Sequence, residues 1–491
     1  MPDFIRKNGR RLLISLYALA LFLLNFIRIF DNNFWGDETY TIRLAQMRLP
    51  AMFAETAGDV HPPLYYILVK LIGGLLGYRG EVFHFISLIP YGIILVLALT
   101  VLQKLYGMTT SLILITLASL LPTAVQYNVE VRMYSWGAFF VLLSYLFLWK
   151  IMSRNRWRDY AGFVIFSLSA AYTHYYCLIS VAFFYLFLFG IALIRRKCFL
   201  KKTLLSCGVT VAGYMPWFFT LLQTLERTTD DFWMMWIPTL KECIAFFFKD
   251  SCQYLLFAIL MAGVAAFFLR QILPSKTSGV AAKETTGEVF EVSVRLRRLT
   301  LNVDALWVLA GLFSMFGTIF VGIVVSRLIR PLFIVRYLYP VSIVAWLILG
   351  FCLSRLKGKI VYTAAVLCII FLTCIPQYCT TYINEYAENE SLKATLAVTA
   401  GEFKNGDVIL TDLASINWTV SDYYYPGITH QLITLDELSN LTPGVSYWLI
   451  LESPLSEDNG KQLSKQGYFW EEKVQNGILG TSTVSIYKLM S

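Results

Sequence analysis

Five short clusters in this chain of 491 residues bring together side chains that can do chemistry. They are Trp35-Gly36-Asp37-Glu38, Asp59-Val60-His61-Pro62-Pro63-Leu64-Tyr65-Tyr66, Glu130-Val131-Arg132-Met133-Tyr134, His174-Tyr175-Tyr176 and Arg336-Tyr337. Adjacent carboxylates backed by arginine, tyrosine and histidine suit a transfer in which phosphate is the leaving group. A carboxylate takes the proton of an attacking hydroxyl, and cationic and hydrogen-bond donors stabilise the departing phosphate. Guanidinium fits that phosphate because its planar fork binds two oxygens at once. Taken singly, each cluster has a structural alternative. Asp37-Glu38 reads as a solvated loop pair, and the Asp-Val-His-Pro-Pro run as a helix start with proline in its first turn. Arg132-Met133-Tyr134 and Arg336-Tyr337 read as anchors reaching toward lipid headgroups, and His174 as a residue satisfying a helix turn. Only a shared location separates the two readings, so the elements that carry the clusters decide.

Those elements are membrane spans. The chain is 57% hydrophobic and 16% aromatic but only 15% charged, against about 25% charged in soluble domains, and its mean hydropathy is +0.60. A soluble multidomain enzyme is excluded. Uncharged runs long enough to cross about 30 Å of hydrocarbon recur near 12–27, 85–103, 108–127, 133–149, 160–175, 176–194, 203–221, 252–269, 305–326, 337–354 and 360–381, which predicts about 11 transmembrane helices. The uncharged stretch over 161–194 would make about 50 Å of helix, too long for one crossing, so two helices turn near His174. Residues 64–77 are apolar but short and carry Lys70, which leaves a twelfth span or an interfacial helix, and the distribution of Lys and Arg decides for the interfacial helix.

Short cytoplasmic loops hold the excess of Lys and Arg. With residues 64–77 at the interface, one side receives Arg6, Lys7, Arg10 and Arg11, then Lys150, Arg154, Arg156 and Arg158, then Arg195, Arg196, Lys197, Lys201 and Lys202, and finally Arg355, Lys357 and Lys359. The net charge of +9 thus reports topology and not a nucleic-acid partner. The amino terminus is expected in the cytoplasm and the carboxyl terminus outside. All five clusters then lie at the outer membrane surface, with three of the four histidines, His61, His84 and His174.

Residues 1–381 form the membrane domain, with 31–84 as an outer loop bearing interfacial helices and 273–300 as a small-residue cytoplasmic linker. Beyond 382 the composition is that of a soluble domain. Strand-like runs at Val408-Ile409-Leu410-Thr411, Tyr447-Trp448-Leu449-Ile450-Leu451 and Thr483-Val484-Ser485-Ile486-Tyr487 predict a small α/β domain over 382–491. The acidic, aromatic stretch over 222–251 is expected to be a loop gating donor or acceptor. The nine cysteines lie mostly in or beside the spans, which argues against a disulfide framework.

The ordered set Trp35-Gly36-Asp37-Glu38, His61-Pro62-Pro63-Leu64-Tyr65-Tyr66, Arg132-Met133-Tyr134 and His174-Tyr175, following a first helix, resembles the membrane glycosyltransferases of the GT-C superfamily. Bacterial relatives of protein O-mannosyltransferases and of the lipid A aminoarabinose transferase look most similar. The resemblance implies an all-α polytopic membrane protein of GT-C type with an extracytoplasmic α/β domain, in a bacterial plasma membrane. It implies a hexosyl- or pentosyltransferase that moves a sugar from a polyprenyl-phosphate donor such as undecaprenyl phosphate to an acceptor hydroxyl, with inversion. The acceptor is a lipid, wall polymer or protein of the cell envelope. Asp37 takes the essential acidic position, with Glu38 beside it, as catalytic residues. Donor phosphate and sugar contacts map to His61, Arg132, Tyr134, His174, Arg336 and Tyr337. A divalent cation, Mg²⁺ or Mn²⁺, would draw on Asp37, Glu38 and His61. The aminoarabinose transferase pattern has Glu-Lys before its Pro-Pro, where this chain has Val60-His61. The alternative function is a transporter or flippase of a lipid-linked sugar, which calls for ionisable groups near mid-membrane and paired halves.

Overall fold

The computed structural model describes residues 2–195, 198–231, 236–272, 294–296, 299–329, 331–413, 418–433, 438, 441–442 and 444–490. The chain starts with α1 (Pro2–Phe26), three helices α2 (Gly36–Gln46), α3 (Leu49–Gly58) and α4 (Leu64–Leu76), then α5 (Gly80–Leu97), which runs through one π-helical turn into α6 (Gln103–Tyr106). Helices α7 (Met108–Leu120), α8 (Pro122–Tyr127), α9 (Tyr134–Arg154), α10 (Trp157–Ala171), α11 (Tyr175–Arg195) and α12 (Cys198–Asp231) follow. Next come α13 (Leu240–Phe246), α14 (Gln253–Ile272), the hairpin β1 (Val294–Leu296) and β2 (Leu299–Leu301), α15 (Val303–Leu328), α16 (Tyr339–Ser354) and α17 (Lys359–Thr399). The remainder is β3 (Val408–Thr411), α18 (Trp418–Tyr424), β4 (Thr429–Leu432), β5 (Tyr447–Leu451), α19 (Glu457–Lys465), β6 (Phe469–Leu479) and β7 (Ser482–Met490).

Among the described residues, nine helical stretches are long and apolar enough to cross a membrane. Two of the eleven expected spans fall short of that measure. The 108–127 run breaks into α7 and α8 because Pro122 pushes Leu121 into an extended conformation (ψ 135°). The 160–175 run is α10, whose 15 residues reach about 22 Å. Its partner α11 begins at Tyr175, so the expected turn lies at 172–174. The 222–251 stretch is not a loop throughout: α12 continues to Asp231, and residues 232–235 lie outside the described residues, as does 273–293 of the expected linker.

One apolar core fills the bundle. Helices α9 and α16 are buried nearly all round, and their sequences are apolar on every face. Small residues let backbones approach: a Cβ at Gly137 on α9 would meet Cys177 Sγ at 2.9 Å and Pro340 at 3.1 Å. Polar groups within the bundle answer one another. Tyr145 Oη donates to the Trp307 carbonyl at 2.8 Å, and Trp307 Nε1 donates back to the Tyr145 carbonyl at 3.0 Å.

The carboxyl-terminal residues form a five-stranded sheet in the order β4-β3-β5-β7-β6. Strand β3 pairs in parallel with β4 and β5, and β7 pairs antiparallel with β5 and β6. Strand β5 (Tyr-Trp-Leu-Ile-Leu) is buried along its whole length, as a central strand with both faces covered must be. Its two faces feed two apolar clusters, one of which takes Leu392 from α17 and Val420 from α18. Helix α17 therefore belongs to both parts: it runs unbroken for 41 residues past the expected boundary at 381. Where it leaves the bundle, Arg28 holds Glu385 through a two-point ion pair, and Asn389 donates to Asp31 at 2.7 Å.

Candidate active site

The site is built first on α2. Trp35 is extended (φ −89°, ψ 173°), and Asp37 and Glu38 occupy the first helical turn, where unpaired amides and the helix dipole favour acidic side chains. Glu38 turns back and accepts from Trp35 N at 3.3 Å with one oxygen. Its other oxygen accepts from Val131 N at 2.7 Å. Lys70, on α4, closes the far end of α2 by donating to the Ala45 and Met47 carbonyls at 3.1 and 2.5 Å. A cation at a helix carboxyl end satisfies orphan carbonyls, which accounts for this lysine without a ligand.

Residues 128–133 form the second piece. Asn128 Nδ2 donates to Asn25 Oδ1 at 3.1 Å and to the Ala118 carbonyl at 2.9 Å, and Tyr339 Oη donates to Asn128 Oδ1 at 3.3 Å. His84 Nδ1 donates to the Val129 carbonyl at 2.8 Å, and its ring stacks on Phe34 at 4.6 Å. So fixed, the segment delivers Arg132 under α2. Arg132 Nη1 donates to the Asp37 carbonyl and to Thr41 Oγ1, each at 3.2 Å, while Nη2 stands 3.7 Å from Asp37 Oδ2. Arg336 approaches the same oxygen at 3.3 Å, its guanidinium over the Trp35 ring at 5.6 Å. The Asp37 carboxylate, 8% exposed, is clamped between two guanidinium groups.

A wall of rings completes the site. The His61 and His174 centroids lie 5.2 Å apart, with Tyr337 at 6.2 Å from His61 and 4.8 Å from His174, and Tyr134 at 5.9 Å from His174. Tyr176 N donates to His174 Nδ1 at 3.1 Å, so the ring proton sits on Nε2. That Nε2, His61 Nδ1, Tyr134 Oη, Arg132 Nε and Arg336 Nε are all buried with no hydrogen-bond partner among the described residues. Buried polar groups are otherwise nearly always paired, and five open ones around one carboxylate describe a binding site for a polar, anionic group. From His61, His174 and Tyr337 a cavity of about 260 Å³ extends along Ile179, Leu221, Val321 and Val325, and its lining is almost wholly apolar.

Burial dominates the ionisation of these groups. It pushes Glu38 well above the usual carboxylate range, helped by Glu130 and opposed by the Val131 and Trp35 amides. Glu130 rises to about 7 for the same reason, against the pull of Arg336 and Arg132. Burial, with the repulsion of Arg132, holds His61 well below its ordinary value and pushes His174 down to about 3, so both rings are neutral. Burial also raises Asp59, whose carboxylate accepts from Tyr66 Oη at 3.1 Å.

All eight residues singled out in the sequence, Asp37, Glu38, His61, Arg132, Tyr134, His174, Arg336 and Tyr337, fall in or against this constellation. Glu130 and Asp59 join it too. Both stand inside the quoted motifs, but nothing in the sequence says that their side chains turn inward. The donor set does not suit a divalent cation: Asp37 faces two arginines, and both Glu38 oxygens are taken by backbone amides. Among the described residues no group of three or more His, Cys, Asp and Glu side chains converges to hold a metal.

No family model matches the chain, and no curated protein matches it by sequence. Solved structures do match. ArnT from Cupriavidus metallidurans in the apo state is 11% identical, with a TM-score of 0.60 over 98% of both chains. ArnT from the same organism bound to undecaprenyl phosphate is 12% identical, with a TM-score of 0.57 over 98% of both. The resemblance read from the ordered motifs therefore extends to the whole fold: this chain has the architecture of ArnT over nearly its entire length, helical bundle and carboxyl-terminal sheet domain together.

Proposed function

We propose that the protein transfers a sugar from a polyprenyl-phosphate-linked donor to an acceptor hydroxyl, with inversion. The observation that carries this reading is the Asp37 carboxylate, held by Arg132 and Arg336 beside five polar atoms without a partner among the described residues, two of which belong to His61 and His174, which also line an apolar cavity. The cavity suits an isoprenoid chain, whose methyl-bearing units need no hydrogen bonds. Arg132, Arg336, the His174 Nε2 proton and Tyr134 Oη receive the phosphate. The acceptor oxygen attacks the anomeric carbon as the bond to the phosphate oxygen breaks, and Asp37 takes the hydroxyl proton. One displacement at one carbon inverts its configuration. A phosphate drawn between the arginines competes with Asp37 for them, so the base is freed only when donor is seated.

In this reading Glu38 positions the first turn of α2, since its oxygens are engaged by backbone. The amino terminus lies in the cytoplasm and residues 382–491 outside, as the placement of Lys and Arg in short loops supports. Ionisable groups gathered at one end of the bundle favour chemistry on one face over translocation. The test is a transfer assay on purified protein in lipid, with radiolabelled undecaprenyl-phosphate sugars, with and without EDTA. Transfer from one donor, lost by about 10²-fold or more in Asp37→Asn with donor binding retained, is the expected result. Unchanged transfer in that variant would refute the base, and the chelator lane decides the metal.

A further inference from the structure

The sheet domain reaches the carboxylate-bearing helix directly. Helix α18 packs on α2, with Thr419 Oγ1 2.6 Å from Thr39 Oγ1. Thr39 Oγ1 donates to the Gly36 carbonyl at 3.0 Å, and Thr419 lies 3.4 Å from the same oxygen, so two buried hydroxyls and the carbonyl preceding Asp37 close a triangle. Just before it, Tyr424 Oη accepts from Phe34 N and donates to the Asn32 carbonyl, both at 2.8 Å. Tyr423 meets the Phe34 ring edge-on at 5.3 Å, and Arg43 lies over Trp418 at 4.7 Å. The β6–β7 turn presses on the same strip of backbone. A Cβ at Gly480, whose φ is +61°, would stand 2.7 Å from the Phe34 carbonyl oxygen and 3.3 Å from Trp35 Cα.

These contacts bracket Asp37 on both sides and include backbone at 32, 34 and 36, yet none of them is to Asp37 itself. They fix where the first turn of α2 begins. The other supports of that turn, Glu38 on Val131 and Arg132 on the Asp37 carbonyl, come from the bundle. An error of 1 Å in a catalytic group costs turnover steeply, so a helix start held from two sides is a device for placing one carboxylate.

We propose that the sheet domain is part of the catalytic unit, and that Thr419 and Tyr424 are positioning residues that set the α2 first turn so that Asp37 meets both arginines. This rests on the reading of Asp37 as the base, but its first test does not. In full-length protein in lipid, hydrogen–deuterium exchange of peptides covering residues 32–41 is compared among wild type, Thr419→Val, Thr419→Ser and Tyr424→Phe. Loss of either hydroxyl is expected to speed exchange there by about five- to tenfold, with α9 and α16 unchanged and Thr419→Ser like wild type. Unchanged exchange at 32–41 overturns the proposal whether or not any donor is turned over. The second readout is kinetic: Thr419→Val and Tyr424→Phe are expected to lower kcat by about tenfold or more, with KM for donor and acceptor within twofold and Thr419→Ser restoring kcat. A rise in acceptor KM with kcat unchanged makes the domain an acceptor dock and overturns the proposal. A wild type inert toward every donor refutes the transfer reading alone and leaves the exchange result to decide.

Discussion

Glu38 sits next to the proposed base, and a single pair of substitutions separates the two carboxylates. Glu38 is 4% exposed, and its oxygens accept from Val131 N at 2.7 Å and Trp35 N at 3.3 Å. Because burial holds the group toward its neutral form, glutamine reproduces its shape and keeps one accepting oxygen, but turns an amide NH₂ toward one of the two backbone donors. Leaving one buried N–H unpaired costs about 1–3 kcal/mol, and Glu38→Ala, which strands both, costs about 2–6 kcal/mol. In thermal unfolding in nanodiscs, Glu38→Gln is expected to lower Tm by several degrees and Glu38→Ala by more. Turnover per folded molecule of Glu38→Gln should stay within about tenfold of wild type, whereas Asp37→Asn loses about 10²–10⁴-fold. Unchanged Tm with a turnover loss as deep as that of Asp37→Asn would refute the positioning role and make Glu38 a participant in proton transfer.

Other expectations follow from the same geometry. Burial raises Glu130 from 4.5 to about 7, so the folded protein keeps a proton that the unfolded chain releases. Its stability contribution is full below 4.5 and lost as pH rises through about 7, about 3 kcal/mol in all. Tm measured across that window should fall more steeply in wild type than in Glu130→Gln, and equal slopes refute the assignment. His174 has the opposite sign: with its value pushed down to about 3, its contribution is present above 6.5 and lost as pH falls toward 3. Nitrogen-15 NMR of labelled histidine should show it neutral with the proton on Nε2 at pH 5, and titration near 6.5 counts against the buried, Tyr176-bonded ring. Arg336→Met removes one arm of the clamp, and Kd for undecaprenyl phosphate should rise about tenfold or more with the fold intact; equal affinity removes Arg336 from the phosphate site. Lys70→Met should lower Tm through the uncapped end of α2 while leaving that Kd within twofold, and a large loss of affinity would make Lys70 a donor contact.

The sequence exposed what depends on residue type and on the alternation of apolar runs. Asp37, His61, Arg132 and His174 stand out because charged and imidazole groups are costly in an apolar chain, and the order of the expected spans places them at the same end of the bundle. What stayed hidden depends on direction. That Glu38 bends back onto two amides, that Lys70 caps a helix, and that Glu130 and Asp59 turn inward are facts of rotamer and local backbone. Two hydroxyl-mediated bonds from Tyr424 to backbone nearly four hundred residues away leave no periodic trace. The break within 108–127 has a local cause as well, since Pro122 divides a run whose hydropathy is continuous.

Helix α17 carries a consequence for how such a chain can be cut and rejoined. It passes from bundle to sheet domain with no flexible join, and it is pinned at Glu385 and Asn389 before Leu392 enters the sheet core. Each residue added to a helix rotates everything beyond it by about 100° and advances it by about 1.5 Å. One residue inserted after Asn389 would therefore swing α18 away from α2, while seven would return it nearly to phase but displaced by about 10 Å. The two halves share a single helical phase, so the sheet domain cannot be traded between chains as an independent cassette at this junction unless that phase and length are kept.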